Sequence, residues 1–293
     1  MLAVLIVAFQ RLDSLKLILD SSALKGREIF VFVDKARIPS VQNSEVISYL
    51  GTWRESGKGH LKISDSNFGV GAAVPAAMDW AFSHVSRLAV LEDDCVPNQH
   101  FLDFCEFALD CISDSNETLI VSGTSPFKEN LYASLSDYPL IWGWATTADK
   151  WKILRNYIIN SPTTSDVLIA ILRNPKKIKS LAFFAAARIR VKQGRLSAWD
   201  SPMTLGMLID GKTSVVPGMS LITNIGADSL AHHPGVPVFP DSKVISLGTD
   251  RDFYRLLKLD FETKKSTNSA IEFSIYNMKK RHVFSPLKAF FGL

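Results

Sequence analysis

The chain opens on an unbroken apolar run, Leu2 to Ala8, followed by Leu12, Leu15, Ile18 and Leu19 at helical spacing. A second strand-like stretch, Glu28 to Val33, stops at Asp34. A short continuous apolar run is the pattern of a strand buried on both faces, and recurrence every three to four residues is that of an amphipathic helix, so the opening is a βαβ unit. Leu61 to Ser64 is a weaker strand. Gly71 to Val85 has a helical pattern with Pro75 near its first turn, where a proline is tolerated. Arg87 to Leu91 is another apolar strand, ending at Glu92-Asp93-Asp94; His100 to Ile112 follows as a helix and Thr118 to Ser122 as a strand. This alternation predicts an α/β fold, a mainly parallel Rossmann-like sheet flanked by helices, with ligands at the carboxyl ends of the strands. Asp34 and the acidic triplet are therefore expected beside one crevice.

From Tyr138 the pattern changes to an aromatic turn, Pro139 to Trp144, then to helices through a basic stretch, then to Trp199-Asp200 and a compact region ending near Pro240. With no internal repeat, the economical division is one α/β domain over residues 1–250, carrying a helical insert at about 152–196, and a basic C-terminal extension over 251–293.

Composition narrows the class. At 293 residues, 47% hydrophobic and 21% charged, the chain can fill a core without staples, which excludes wholesale disorder. Three cysteines with no C-x-x-C spacing argue against a disulfide framework or a structural zinc cluster and for a reducing, cytoplasmic setting. The apolar start lacks a basic leader, so it is expected to be a first strand rather than a signal peptide, and no later run approaches the roughly 20 residues of a spanning helix.

Charge is uneven. Residues 171–195 hold eight Lys/Arg and no acid, residues 251–293 hold nine against four acids, and the remainder of this +4 chain is net negative. An acidic body with two basic attachments argues against nucleic acid as partner and for a local anionic contact. The first attachment interleaves its charges with Leu181-Ala-Phe-Phe184, as an interfacial amphipathic helix does, which points to a peripheral contact with an anionic membrane face; the bland alternative for both attachments is a solvated basic face.

The candidate chemistry lies at Glu92-Asp93-Asp94. Three consecutive carboxylates after a buried strand repel one another and call for a cation, the bland alternative being a solvated turn. Hard oxygen ligands suit Mg²⁺ or Mn²⁺, which keep waters and complete their shell with substrate phosphate oxygens.

Leu91-Glu-Asp-Asp-Cys-Val-Pro97 resembles the DxD-type motif of GT-A glycosyltransferases, in the Glu-Asp-Asp variant of the N-acetylglucosaminyltransferase I group and related bacterial enzymes. Other segments resemble the family in the same order: Val4 to Arg11, Phe32-Val-Asp34, Asn67-Phe-Gly-Val-Gly71, Tyr138 to Trp144, Ala198-Trp-Asp200, and Val216-Pro217 through Asn224-Ile-Gly226 to His232. The resemblance covers roughly residues 1–240 and lies in order and context more than in any one motif.

What the resemblance implies is a metal-dependent, inverting transferase that moves a sugar from a nucleotide-sugar donor, a UDP-sugar first among them, to an acceptor hydroxyl; the basic attachments further suggest a glycan or lipid-linked acceptor in cell-envelope synthesis. Asp94 would bind the ion with His232, or with His233 beside it; Glu92 and Asp93 would hold the ribose and sugar side. Arg11 and Asp34 would cradle the nucleotide, with Asn67 and Gly69 on the donor's approach. Asp200 would be the general base, although an aspartate before Ser201-Pro202 is also a natural helix N-cap. Trp142, Gly143, Trp144 and Trp199 would line the sugar subsite. Gly69-Val-Gly71 lacks the third glycine of a dinucleotide fingerprint and does not follow the first strand. Phe9-Gln-Arg11 lacks the glycine- and lysine-rich phosphate loop of a sugar nucleotidyltransferase, which together with a non-catalytic donor-binding protein forms the alternative. Oligomeric state is not legible.

Overall fold

The computed structural model describes residues 1–127, 133–226 and 264–272. The first half is built as the alternation predicts. Strand β1 (Ala3–Ala8) leads to helix α1 (Leu12–Leu19), β2 (Ile29–Val33), α2 (Val41–Glu55), the edge strand β3 (His60–Ile63), α3 (Val70–Phe82) and β4 (Arg87–Glu92). These four strands are all parallel and lie in the order β3-β2-β1-β4. The chain crosses from β1 to β2 and β3 on one side and returns to place β4 on the other. The carboxyl ends of β1 and β4 thus form the point where the winding reverses, the place where open α/β sheets bind ligands.

After β4 come the short β5 (Cys95–Pro97), α4 (Phe101–Cys111), β6 (Thr118–Ser122), β7 (Ser134–Ser136) and β8 (Trp144–Thr147). Four helices follow, α5 (Ala148–Ile159), α6 (Thr164–Arg173), α7 (Ile178–Lys192) and α8 (Asp200–Ile209), then β9 (Thr213–Val216) and β10 (Ile222–Asn224). The sheet continues from β4 through β8, β6 and β9 to β7. Most of its strands point one way; β8 runs against both β4 and β6, and β7 runs against β9. The aromatic turn at 139–143 is thus the approach to a central antiparallel strand that the apolar pattern does not separate from its loop. A two-stranded ribbon of β5 and β10 stands apart, pairing Asn224 with Cys95.

The sheet is buried on both faces, which is why β1 is a solid apolar run. Leu2, Val4, Ile6 and Ala8 pack with α1, α2 and α4, through Leu15, Leu50 and Phe101 among others. Ala3, Leu5 and Val7 pack on the opposite face with α3, α5 and α8, through Met78, Leu154 and Met203. A third cluster joins α6, α7 and α8 to Tyr138, Leu140 and Val216, and includes Ile271 of the helix over 264–272.

The insert corrects one expectation. Leu181, Ala182 and Phe184 are not an outward apolar stripe on α7: all three are buried, Leu181 and Phe184 within that third cluster, with Phe183 packed against it. Arg188, also buried, donates to the carbonyl of Pro162. Among the described residues no helix is long and apolar enough to cross a membrane.

Candidate active site

Strand β4 delivers its acids to the reversal point by register. Glu92 pairs with Val7 at the end of β1, and the next residue, Asp93, accepts a hydrogen bond from the Phe9 N–H at 2.8 Å. Asp93 thereby fastens the loop that carries Arg11, whose guanidinium donates to the carbonyl of Gly226 at 3.2 Å. Asp94 turns toward the ribbon. Its carbonyl accepts from the Ile225 N–H at 2.9 Å, and its Oδ1 from the Cys95 thiol at 3.3 Å and Asn224 Nδ2 at 3.5 Å. Asn224 in turn accepts the Gly226 N–H at 2.8 Å.

Asp200 comes to the same place from the far side of the sheet's order. It is the first residue of α8, with Trp199 as the N-cap and no side-chain capping bond from that position. Its carboxylate sits close enough to Glu92 to act on its ionisation. Desolvation, followed by Asp94, Asp93 and Asp200, pushes the Glu92 carboxyl up to about 8. Desolvation also raises Asp93 to about 6, against the opposing hydrogen bond from Phe9 and the charge of Arg11. The Cys95 thiol is pushed well up by desolvation and by its neighbours Asp94 and Glu92. Asp94, Asp93 and Asp200 all act on the half-buried Glu92, and the surroundings favour protons on Glu92 and Asp93. That donor chemistry fits a hard divalent cation, which would relieve the repulsion.

Asp34 lies at the end of β2, as expected, and is buried. Its Oδ1 accepts from Ser64 Oγ and the Phe68 N–H, and its Oδ2 from Asn67 Nδ2 and the Gly69 N–H, at 2.8–3.2 Å. Three N–H donors engage both oxygens, and the single Ser64 hydroxyl proton is shared between Asp34 and the Ser66 carbonyl at 2.7 Å. The aspartate is thus the organiser of the 64–69 loop, and a ligand on this side meets the loop that it shapes. Gly69 has φ of 70° and is the N-cap of α3; the N–H of the nearby Gly71 is taken by Ser197 Oγ at 3.3 Å, tying α3 to the segment that leads to Asp200.

The aromatic residues need correction. Trp144 and Trp199 are only 1% and 2% exposed, and their rings stack on each other with centroids 5.6 Å apart. Neither offers a face to a sugar. A strand residue must point to one face of its sheet, and Trp144 points into the layer filled by α3, α5 and α8; the pair anchors the start of α8 and hence Asp200. Gly143 is also buried: with φ of 63°, it would drive a β-carbon to 2.4 Å from Ile222 Cγ1, so it is there for close packing. Trp142 is half-buried against the core and keeps part of its surface open. His232 and His233 lie outside the described residues.

Sequence reasoning missed Asn43, which is buried on α2. It donates to the carbonyls of Phe9 at 2.6 Å and Asp34 at 2.9 Å and accepts the Ala36 N–H at 3.0 Å, locking the ends of β1 and β2 together. Nothing in the pattern marks it. Asn224 and Gly226 stood within a resembling segment, but their place beside Asp94 depends on the ribbon.

No family model and no curated protein matches the chain. Among solved structures it is similar to S. aureus TarS, at 15% identity and a TM-score of 0.32 over 43% of this chain and 22% of that one. It is also similar to TarS 1-349 in complex with UDP, at 17% identity and a TM-score of 0.31 over 43% of this chain and 36% of that one. A third is the mannosyltransferase PcManGT from Pyrobaculum calidifontis in complex with GDP-Man and Mn²⁺, at 11% identity and a TM-score of 0.38 over 71% of this chain and 68% of that one. The matched part is thus well under two thirds of the TarS chains. Likeness this distant carries no weight for function.

Proposed function

We propose that the chain transfers a sugar from a nucleotide-sugar to a hydroxyl of a glycan or lipid-linked acceptor, with inversion at the anomeric carbon. One observation carries this: Glu92, Asp93 and Asp94 at the reversal point of the sheet share their surroundings with Asp200 and Arg11, in the order and context that resemble GT-A glycosyltransferases. Among the described residues no three His, Cys, Asp or Glu side chains are gathered to cage an ion by themselves. An open Mg²⁺ or Mn²⁺ site, held by Asp94 with ligand oxygens and waters, matches that donor set. When bound, the cation supplies charge neutralisation for a departing diphosphate.

The residues of the chain supply the rest. Asp200, a carboxylate facing the acidic triplet across the crevice, takes the proton of the acceptor hydroxyl. The hydroxyl oxygen forms its bond to the anomeric carbon as the bond to the nucleoside diphosphate breaks, in a single displacement. Arg11 is a planar donor fork for nucleotide oxygens. Glu92 and Asp93 accept from ribose or sugar hydroxyls, the 64–69 loop flanks the nucleotide, and the open part of Trp142 borders the sugar.

The test is transfer or donor hydrolysis with Mn²⁺ over a panel of UDP-, GDP-, CMP- and dTDP-sugars. Asp200→Asn should lower kcat by about 10²–10⁴ and leave donor affinity near the parent value, because only the proton acceptor is lost. Unchanged turnover in that variant would remove Asp200 from the mechanism. Donor binding without turnover in the parent protein, over all donors and acceptors tried, would instead favour a binding protein.

A further inference from the structure

We propose that the outer face of α6 and the turn after it form a docking surface for an anionic lipid bilayer. Helix α6 is apolar on two opposite faces. Val167 and Ala170 are buried against α7 and α8, and Ile171 packs beside them. At 100° per residue, Leu168, Ile169 and Leu172 lie on the opposite side, exposed by 49%, 46% and 81%. Single exposed leucines are ordinary; three apolar side chains on one helix face form a patch that needs a partner, and Ile178, the first residue of α7, is exposed by 43% as well.

The rim of the patch says which partner. Arg173, Lys176 and Lys179 are exposed and have no carboxylate partner among the described residues. The nearby Lys177 is committed inward, to Asp137 at 2.8 Å. The one acid of α6, Asp166, is also committed: it accepts the Thr163 N–H at 2.7 Å and closes the capping box that starts the helix. No acid occurs between Val167 and Trp199. An apolar helix face rimmed by such cations is complementary to a surface that is oily beneath and negative on top, with lysine and arginine stems lying along the apolar layer and their heads among anionic headgroups. The remainder of the molecule outside the basic segments is net negative, so repulsion turns it outward and fixes which side approaches the bilayer.

The position in the fold gives the contact a use. From the turn Pro175–Lys177, α7 runs about 22 Å at 1.5 Å per residue. It leads to the segment in which Ser197 holds the N–H of Gly71 and Asp200 begins α8. A bilayer gripped at α6 therefore stands at a set distance from the rim of the acidic crevice. The docking itself is independent of the chemistry proposed there.

The experiment is co-sedimentation of the full chain with phosphatidylcholine vesicles containing phosphatidylglycerol, and with phosphatidylcholine alone. The parent protein should pellet with the anionic vesicles and much less with the neutral ones. Leu168→Ser/Leu172→Ser should weaken partitioning by at least about tenfold. Lys176→Gln/Lys179→Gln should weaken it by about thirtyfold. All four side chains are exposed, so thermal unfolding should not change. No binding of the parent protein, or binding that both variants retain in full, would overturn the proposal, the second by placing attachment elsewhere on the chain. Sedimentation velocity is the third arm: a dimer in the parent protein that Leu168→Ser/Leu172→Ser splits would show that a second copy covers this face, and would also overturn it.

Discussion

Gly226 lies so close to Asp94 that a β-carbon added there falls 2.0 Å from Oδ2 and 2.8 Å from Cγ. The carboxylate can swing aside, but Asp94 Cβ, 2.9 Å from the added carbon, moves only with its backbone, so the turn at 225–226 must also give a little, and what is lost is the aim of Asp94. Gly226→Ala should leave the unfolding midpoint near the parent value and weaken Mn²⁺-dependent donor binding by about tenfold or more, as expected when the support of a ligand is disturbed. Calorimetric titration with nucleotide and Mn²⁺ reads this, and an unchanged affinity would mean that Asp94 does not hold the ion from this position. The acids themselves were legible from sequence because they follow a buried apolar strand, although a solvated turn, which Asp93 and Asp94 do form, was the bland alternative. Trp144 and Trp199 misled because a tryptophan beside a glycine reads the same whether its ring meets a sugar or another tryptophan; only strand direction, set by pairing with β4 and β6, decides it.

Elements whose pattern is local were readable, and those made by pairing were not. β1, β2 and β4 carry their own apolar runs and α1 and α4 their own stripes, so a mainly parallel sheet with the acids at a strand's carboxyl end follows from the order of residues, whereas the reversal between β1 and β4 emerges only with the strand order. The strands β5, β7, β9 and β10 are three or four residues long and exist because a partner strand is there. A clasp formed in this way joins three distant segments at the sheet's edge. Asp137, buried just after β7, meets Lys177 at 2.8 Å and Lys264 at 2.7 Å, and the Asn268 amide nitrogen at 3.1 Å. Desolvation raises its pKa, but the two lysines outweigh that and hold it below the usual carboxylate value. A depressed folded pKa gives stability that is present above the unfolded value of 3.8 and lost as pH falls through the folded one. Asp137→Asn should therefore destabilise the protein by about 3 kcal/mol near neutral pH, since it strands two largely buried lysines. The gap between parent and variant midpoints should close as pH drops below about 4. A gap that stays constant down to about pH 2 would rule out the ionic origin.

At the scale of the molecule, the fold divides its labour by charge. The acidic crevice sits at the carboxyl ends of β1 and β4 with Arg11 beside Asp93, and the basic surface lies one helix away on the insert. Charge bias along the sequence revealed that the insert was special. It did not reveal that α7 turns its apolar residues inward and leaves α6 to face out, because that choice depends on the packing of Tyr138, Leu205 and Val216 from elsewhere in the chain. The central claim is that Asp94 holds a divalent ion to which a nucleotide diphosphate binds. Its most direct measurement is calorimetric titration of UDP and GDP into the parent protein and Asp94→Ala, each with Mn²⁺ and with chelator. The expected result is binding to the parent protein only when Mn²⁺ is present, and none to Asp94→Ala; nucleotide affinity unmoved by both the chelator and the substitution would contradict it.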